Sequence, residues 1–514
     1  MDGNSMSNTK GKIINHCKRN KRAIEGRDYI SYLPHSVMLS IFSLLPVKEL
    51  VVISLVSKQW ENLVKMLFSM IPSTLVFDEL ETAGRTIREN AKILQSHCIQ
   101  FPSMYKFCIR YSVVAGSKNF TQFVNRTLKL HHGSVIKKLC FNLCYDGFCN
   151  GKEKVDKWYH FALTNEVKEL ELNLSNALVI GHKKLTKAYE LPLLHSVSMS
   201  LEYLDLTFCK LRASNIGAFG SLHTLYLKFV TVLYFSIEDL VTKCPMLKYL
   251  NFDQCSIPLN FMVCKKDIMI ETLVMTKCYT QNGPMCPIDI SAPELWVLTL
   301  EGYCLATVTN IKAPNIINVD IAINEGHTDS LQRQTLIKLL TGSKGCLRLS
   351  LDSWCIQVLS YGAYFLHQSP ILFKEITHLK LQVGIERQEL PGIAYLIRGC
   401  PFLESLTLDI EKSTEIHWGD LQRDFPIIFG FDMDHYWESQ VSPFHCLRYH
   451  LREIIIYGIY GRSCEIKMLE FFLEKAEVLE DMSLGIPEES SEDEILQYLS
   501  ACVKASPEVV ISSI

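Results

Sequence analysis

Beyond Phe77 the chain keeps returning to one short pattern: an apolar residue, two variable positions, leucine, one variable position, then leucine or phenylalanine. With some aliphatic exchange it fits Ile136/Leu139/Phe141, Val167/Leu170/Leu172, Leu201/Leu204/Leu206, Leu222/Leu225/Leu227 and Leu247/Leu250/Phe252. It continues through Ile270/Leu273/Met275, Leu295/Leu298/Leu300, Ile316/Val319/Ile321, Ile376/Leu379/Leu381, Leu403/Leu406/Leu408, Leu451/Ile454/Ile456 and Leu479/Met482/Leu484. Alternation over the last positions is the period of a strand with one buried face. Each occurrence therefore predicts a short strand, and its repetition predicts an array.

From Leu201 to Ile316 the occurrences start 21 to 25 residues apart, within the leucine-rich-repeat period of roughly 20–29 residues. Elsewhere the spacing stretches, so the array is irregular. Helical segments such as Ile237 to Lys243 before Pro245, and Gly392 to Gly399 before Pro401, lead into strands. Ala292-Pro293 and Ala313-Pro314 punctuate two further repeats. Proline stops a preceding helix and resets the chain toward extended backbone, so the expectation is one helix and one strand per repeat. The strands would pair in a curved parallel sheet with helices on its convex side. Cys144, Cys209, Cys255 and Cys278 each stand three residues after the last apolar position of their repeat, at the Asn/Cys place of the leucine-rich template. A buried thiol there fills volume and offers a weak hydrogen bond.

The segment before the array follows another rhythm. Leu33-Pro34 precedes a helical pattern over Val37, Met38, Leu39, Ile41, Phe42, Leu44 and Leu45, closed by Pro46. A second helix is predicted over Val47 to Ser54. A third starts near Ser57, its N-cap, and carries Trp60, Leu63, Val64, Leu67 and Phe68 at helical spacing. Three short helices cannot enclose that much apolar surface, so another domain or a partner must cover part of it.

Composition narrows the class. A chain of 514 residues exceeds one ordinary core, and 48% hydrophobic content marks it as folded. A formal net charge of −3 gives no support to nucleic-acid binding. Met1 to Arg27 is polar, lacks the apolar core of a secretory signal, and holds the basic run Lys18-Arg19-Asn20-Lys21-Arg22, a candidate nuclear import signal. No run reaches the roughly 18 apolar residues of a membrane span. The expectation is a nuclear or cytoplasmic chain without nucleic-acid or membrane partner, whose 19 cysteines are reduced thiols. Cys140, Cys144, Cys149 and His160 contain no Cys-x-x-Cys pair and predict no metal site.

The order Leu33-Pro34, then Ile41-Phe42-Ser43-x-Leu45-Pro46, then Val56-Ser57-Lys58-x-Trp60 resembles an F-box. Asp434 to Cys446, with the strand at Leu451 to Tyr457 and a helix running on toward Met482, resembles the FBD region that closes many plant F-box/leucine-rich-repeat proteins. The resemblance implies an α/β chain: a tail over 1–27, a three-helix F-box over 28–75, a solenoid over 76–410, an insertion or loop over 411–440, and FBD-like terminal repeats over 441–514. It implies docking on a Skp adaptor, hence on cullin and RING subunits, with Leu33, Pro34, Ile41, Leu44, Leu45 and Val56 facing the adaptor or shaping the interface. Trp60 would pack within the module. The target would be an unknown protein held on the sheet's outward positions: Tyr203, Asp205, Tyr226, Lys228, Tyr249, Asn251, Asp253, His378 and Lys380. No cofactor is expected, and no hydrolase, P-loop or dinucleotide motif assigns a catalytic residue. The competing reading is a stand-alone scaffold in which the helical segment merely caps the repeats and is covered by them.

Overall fold

The computed structural model describes residues 30, 32–70, 73–79, 118–131, 136–143, 145, 151–174, 188–192, 200–212, 219–233, 237–258, 261–263, 269–280, 288–302, 308–323, 330–343, 345–366, 373–418, 425–440 and 444–514. The 1–27 tail, His132, Cys144 and Cys149 lie outside them.

Helices α1 (His35–Phe42), α2 (Val47–Ile53) and α3 (Lys58–Met70) open the described chain. Pro34 and Pro46 occupy the N-cap positions of the first two, where a missing N–H costs nothing. The Ser57 hydroxyl accepts from the Trp60 N–H at 3.2 Å and caps the third. Met38, Phe42, Leu50, Val51, Leu63, Val64, Leu67 and Phe68 form the buried core of this module.

Every occurrence of the repeat pattern becomes a strand, and all pair parallel in a sheet that has fifteen strands among the described residues. The register is constant: Leu170, Leu204, Leu225, Leu250, Leu273, Leu298 and Val319 are Cα partners in turn, all facing the core. Three strands escaped the pattern. Ser73–Asp78 pairs with Ile136–Asn142 and begins the sheet inside the segment expected to be F-box. Arg348–Leu351 sits between the strands Asn318–Ala322 and His378–Val383, and Val510–Ser513 closes the sheet.

The second layer differs from the expectation of one helix per repeat. Helices Gly151–Thr164, Ser330–Gly342, Ser353–Leu366, Leu390–Gly399, Ser463–Lys475 and Glu492–Ala501 line the long repeats. In the compact repeats from Leu201 to Ile316, Ile237–Lys243 is the one helix among the described residues. The rest use extended pieces: Cys209–Arg212, Thr231–Leu233, Ser256–Ile257 and Tyr279–Thr280 form a second parallel sheet with Tyr189–Glu190. A third joins Phe261–Val263, Ile288–Ser291 and Val308–Lys312. Ala292-Pro293 and Ala313-Pro314 thus follow strands, not helices. A period of 21 to 25 residues must hold two turns and a five-residue strand, and the remainder covers the core more economically extended than coiled.

Five successive repeats leave the sheet through a left-handed corner, at Phe208 (φ 61°), Phe229 (50°), Gln254 (52°), Lys277 (50°) and Gly302 (90°). Each corner N–H donates to the last carbonyl of the next strand, at 2.6 to 3.0 Å. The bonds, worth about 1 kcal/mol each, offset a left-handed cost of about 1–2 kcal/mol at the four that are not glycine. The cysteine expected next follows in three of them: Cys209, Cys255 and Cys278 are buried. The Cys255 thiol donates to the Leu227 carbonyl at 3.1 Å and the Cys278 thiol to Phe252 at 3.4 Å, each reaching back one repeat.

The helix expected to run toward Met482 ends at Lys475, because Met482 and Leu484 are the inward residues of the strand Asp481–Gly485. Between 411 and 440 a few described residues are packed while most are exposed or half-buried: Trp418, Ile428 and Phe429 cluster with Tyr361, and Trp437 lies on Phe471 at 5.0 Å.

Candidate docking surfaces

The helical module divides its apolar residues between two sides. Leu33, Leu45 and Trp60 are half-buried against its core, Trp60 tilted on the Phe42 ring at 5.4 Å. Ile41, Leu44 and Val56 point outward, Leu44 with 84% of its surface exposed, and Pro34 is exposed as well. The six residues singled out from the sequence therefore comprise four surface residues and two that shape the fold beneath. Tyr32, Val52 and Leu55 extend the surface and were not singled out. The signal was in the apolar run Leu50-Val51-Val52, where Leu50 and Val51 fill the core and leave Val52 outside.

The first repeat holds this module by its corner. From the helical segment 118–130, the Arg126 guanidinium donates to the Ser54 carbonyl at 3.0 Å and stands 3.5 Å from the Glu61 carboxylate. Leu130 enters the module core, and His131 stacks on Phe68. These contacts use α3 and the end of α2, and leave Leu44, Val52, Leu55 and Val56 uncovered among the described residues.

The second surface is the open face of the large sheet, where register fixes three rows. The first runs Lys138, Glu169, Tyr203, Thr224, Tyr249, Thr272, Val297, Asn318, Arg348, His378. Two residues on, the second runs Cys140, Glu171, Asp205, Tyr226, Asn251, Val274, Thr299, Asp320, Ser350, Lys380, and the third includes Asn173, Thr207, Lys228, Asp253, Thr276 and Glu301. Tyr203, Asp205, Tyr226, Lys228, Tyr249, Asn251 and Asp253 all stand here, together on three adjacent strands. His378 and Lys380 also stand on this face, but five strands further on, about 24 Å away at the usual strand spacing.

In the first group the rings of Tyr203 and Tyr226 lie 5.6 Å apart and those of Tyr226 and Tyr249 4.9 Å apart. Burial and the hydrogen bond with Tyr249 push the Tyr226 phenol up to about 12. Lys228 pairs with Asp253 at 2.5 Å, and Lys138 with Glu171. Burial, and then the neighbouring Glu171 charge, push the Asp205 carboxyl above its ordinary value. In the second group His378 and Lys380 line a cavity of about 680 Å³ with Arg348, Asp320 and Glu301. Lys380 faces Asp409 at 3.5 Å and the Thr377 hydroxyl lies 2.9 Å from His378 Nδ1. Arg348 was missed with its strand: Cys346/Leu349/Leu351 fits the repeat pattern once cysteine is admitted at its first place.

Among the described residues no group of three or more His, Cys, Asp or Glu is arranged to hold a metal, and no helix is long and apolar enough to cross a membrane.

Comparison with known proteins agrees with this architecture. A family model for the F-box domain matches residues 30–70, and one described as At1g61320/AtMIF1, LRR domain, matches residues 127–513. The F-box/FBD/LRR-repeat protein At4g26340 of Arabidopsis thaliana is 25% identical over 88% of this chain and 91% of its own. At5g54820 of the same organism, whose name describes an F-box/LRR-repeat protein, is 23% identical over 91% of this chain and 93% of its own. No enzyme family is indicated by these matches. An N-terminal F-box continuing into a parallel leucine-rich sheet, matched along three quarters of its length, places the chain in the At1g61320/AtMIF1 leucine-rich-repeat family, among F-box/LRR-repeat proteins.

Proposed function

We propose that this chain is the substrate-recognition subunit of an SCF-type ubiquitin ligase, nuclear or cytoplasmic in a plant cell, and not itself an enzyme. Its F-box docks on a Skp adaptor and through it on cullin and RING subunits, while the repeats hold a target protein. The domain division is that drawn from the sequence: a tail over 1–27, F-box over 28–75, repeats over 76–410, an insertion over 411–440, and an FBD-like region over 441–514, with the strand Ser73–Asp78 crossing from the F-box into the repeats.

The observation that carries this reading is the outward apolar side of the helical module. Leu44, Val56 and Ile41 are 84%, 65% and 45% exposed, and Val52 and Leu55 are exposed with them. Apolar surface of this kind is expensive in water and suits a partner. It argues against a mere cap, whose apolar positions the repeats would cover. Pro34 contributes to that side, while Leu33 and Leu45 set the geometry from beneath. The mechanism is proximity: a target held on the sheet meets the transferring enzyme at raised effective concentration, with no chemistry by this chain.

Copurification with a Skp adaptor tests the reading. The intact chain is expected to bind, and the double variant Leu33→Ala/Pro34→Ala to bind weakly. Absence of binding by the intact chain, or binding untouched by that variant, sinks it.

A further inference from the structure

The tyrosine group on the open face has the composition of a receptor for one kind of side chain. The rings of Tyr203, Tyr226 and Tyr249 succeed one another at 5.6 and 4.9 Å on adjacent strands. Asp205 stands among them, two residues along its strand from Tyr203 and the Cα partner of Tyr226. The surrounding carboxylates are engaged: Glu171 by Lys138, Asp253 by Lys228 at 2.5 Å and Glu169 by Lys137 at 3.7 Å. Asp205 has a single hydroxyl, Thr207 Oγ1 at 3.4 Å, and no ion-pair partner among the described residues. Half-buried, and flanked in the register by Tyr203 and Tyr226, it feels the neighbouring Glu171 charge more than the opposing charge of Lys228 or of Lys138.

We propose that this face seats an arginine side chain of the bound target, with Asp205 as its counter-ion and the tyrosine rings as its stacking surface. The proposal rests on the reading that the repeats bind a protein. A guanidinium is planar, weakly hydrated and two-pronged, so it lies on an aromatic face while giving two N–H groups to one carboxylate. An ammonium offers only a point charge. The local balance, three lysines against four carboxylates within these strands, favours a cation and disfavours a nucleic-acid phosphate.

The test pans the full-length chain against a random dodecapeptide library displayed on phage and titrates resynthesised binders by fluorescence anisotropy. Enriched peptides are expected to share an arginine. Its replacement by citrulline, and Asp205→Asn in the chain, should each weaken binding about tenfold or more, without additivity when combined. Tyr226→Phe, which keeps the π-face, should hold affinity within about threefold, and Tyr226→Ala should not. Binders without arginine, no binders at all, or affinity indifferent to citrulline overturn the proposal; the citrulline arm is independent of how any variant folds. Adaptor copurification of the same chain separates the two readings. Its loss with arginine binding intact removes the ligase role alone.

Discussion

Phe68 and His131 stack ring on ring, their centroids 3.7 Å apart and their planes 19° from parallel, so the last turns of the F-box lie directly on the first helix of the repeats. The imidazole is fully buried; its Nδ1 donates to the Thr127 carbonyl at 2.9 Å and its Nε2 meets no partner among the described residues. With Arg126 on the Ser54 carbonyl, this contact turns two domains into one body at their junction.

Burial holds the His131 imidazole down at about 4, against an ordinary 6.5. The unfolded chain takes up a proton that the folded chain refuses, so His131 removes stability as pH falls from 6.5 toward 4, and none above 6.5. The slope from this one group reaches at most about 1.4 kcal/mol per pH unit. His131→Phe keeps the stack and cannot titrate. Its melting temperature should fall less between pH 7 and pH 5 than that of the wild type, and equal falls would refute the assignment.

Leu44 stands at the surface of the helical module and Met38 in its core. Leu44→Glu changes a residue that is 84% exposed, and should leave stability within about 0.5 kcal/mol while abolishing adaptor capture. Met38→Ala empties a fully buried place in the module core and should cost about 2–5 kcal/mol. Denaturant titration and pull-down of both variants separate the surface from its support. A Leu44→Glu chain that still captures adaptor at wild-type affinity would end the docking role of this side.

The strands were legible in the sequence because apolar residues two apart, such as Leu204 and Leu206, mark the one buried face of an alternating strand, with Asp205 between them on the other. The second layer was less so. Proline after Lys243 and after Gly399 marks true helix ends, yet Pro293 and Pro314 follow strands, because proline ends either element and does not say which. The corners at Phe208, Phe229, Gln254 and Lys277 are invisible without coordinates: no glycine announces them, and they persist because the neighbouring repeat supplies a hydrogen bond. The outward apolar positions of the helical module were half legible. Which of Leu33, Leu44 and Leu45 faces out depends on how three helices pack, and that is a tertiary fact.

The repeat cysteines should be chemically silent in the native chain. Burial pushes the Cys278 thiol up to about 12 and Cys255 well above its usual value, so neither offers a thiolate near neutrality. Maleimide labelling at pH 8, mapped by mass spectrometry, should modify the half-buried Cys502 well before Cys209, Cys255 or Cys278. Cys255→Ala loses packed volume and the bond to Leu227, and should cost about 1–3 kcal/mol by urea titration. Rapid labelling of Cys255 in the folded chain would show that the repeats open there.

Glu389 shows how the long repeats secure the loops at the far end of the sheet. Fully buried, it accepts from the Ser353 hydroxyl at 2.5 Å, the Ser413 hydroxyl at 3.1 Å, and the N–H groups of Gly384 and Glu386 at 2.9 and 2.8 Å. Glu465 repeats the device near the C-terminal end, accepting from the N–H groups of Tyr460 and Arg462 at 3.0 Å and from Arg462 Nε at 2.7 Å. Arg462 in turn donates to the Gly384 carbonyl at 2.6 Å, so one buried glutamate steadies the loop that the other anchors. Glu389→Gln is nearly isosteric but turns one acceptor into a donor facing donors. It should cost about 2–3 kcal/mol, whereas Glu411→Gln, at an exposed position beside the same loops, should cost less than about 0.5 kcal/mol. Because Glu389 and Arg462 meet at Gly384, the losses from Glu389→Gln and Arg462→Ala should fall short of additivity. Equal urea midpoints for Glu389→Gln and the wild type would show that the donors around Gly384 are satisfied without the carboxylate.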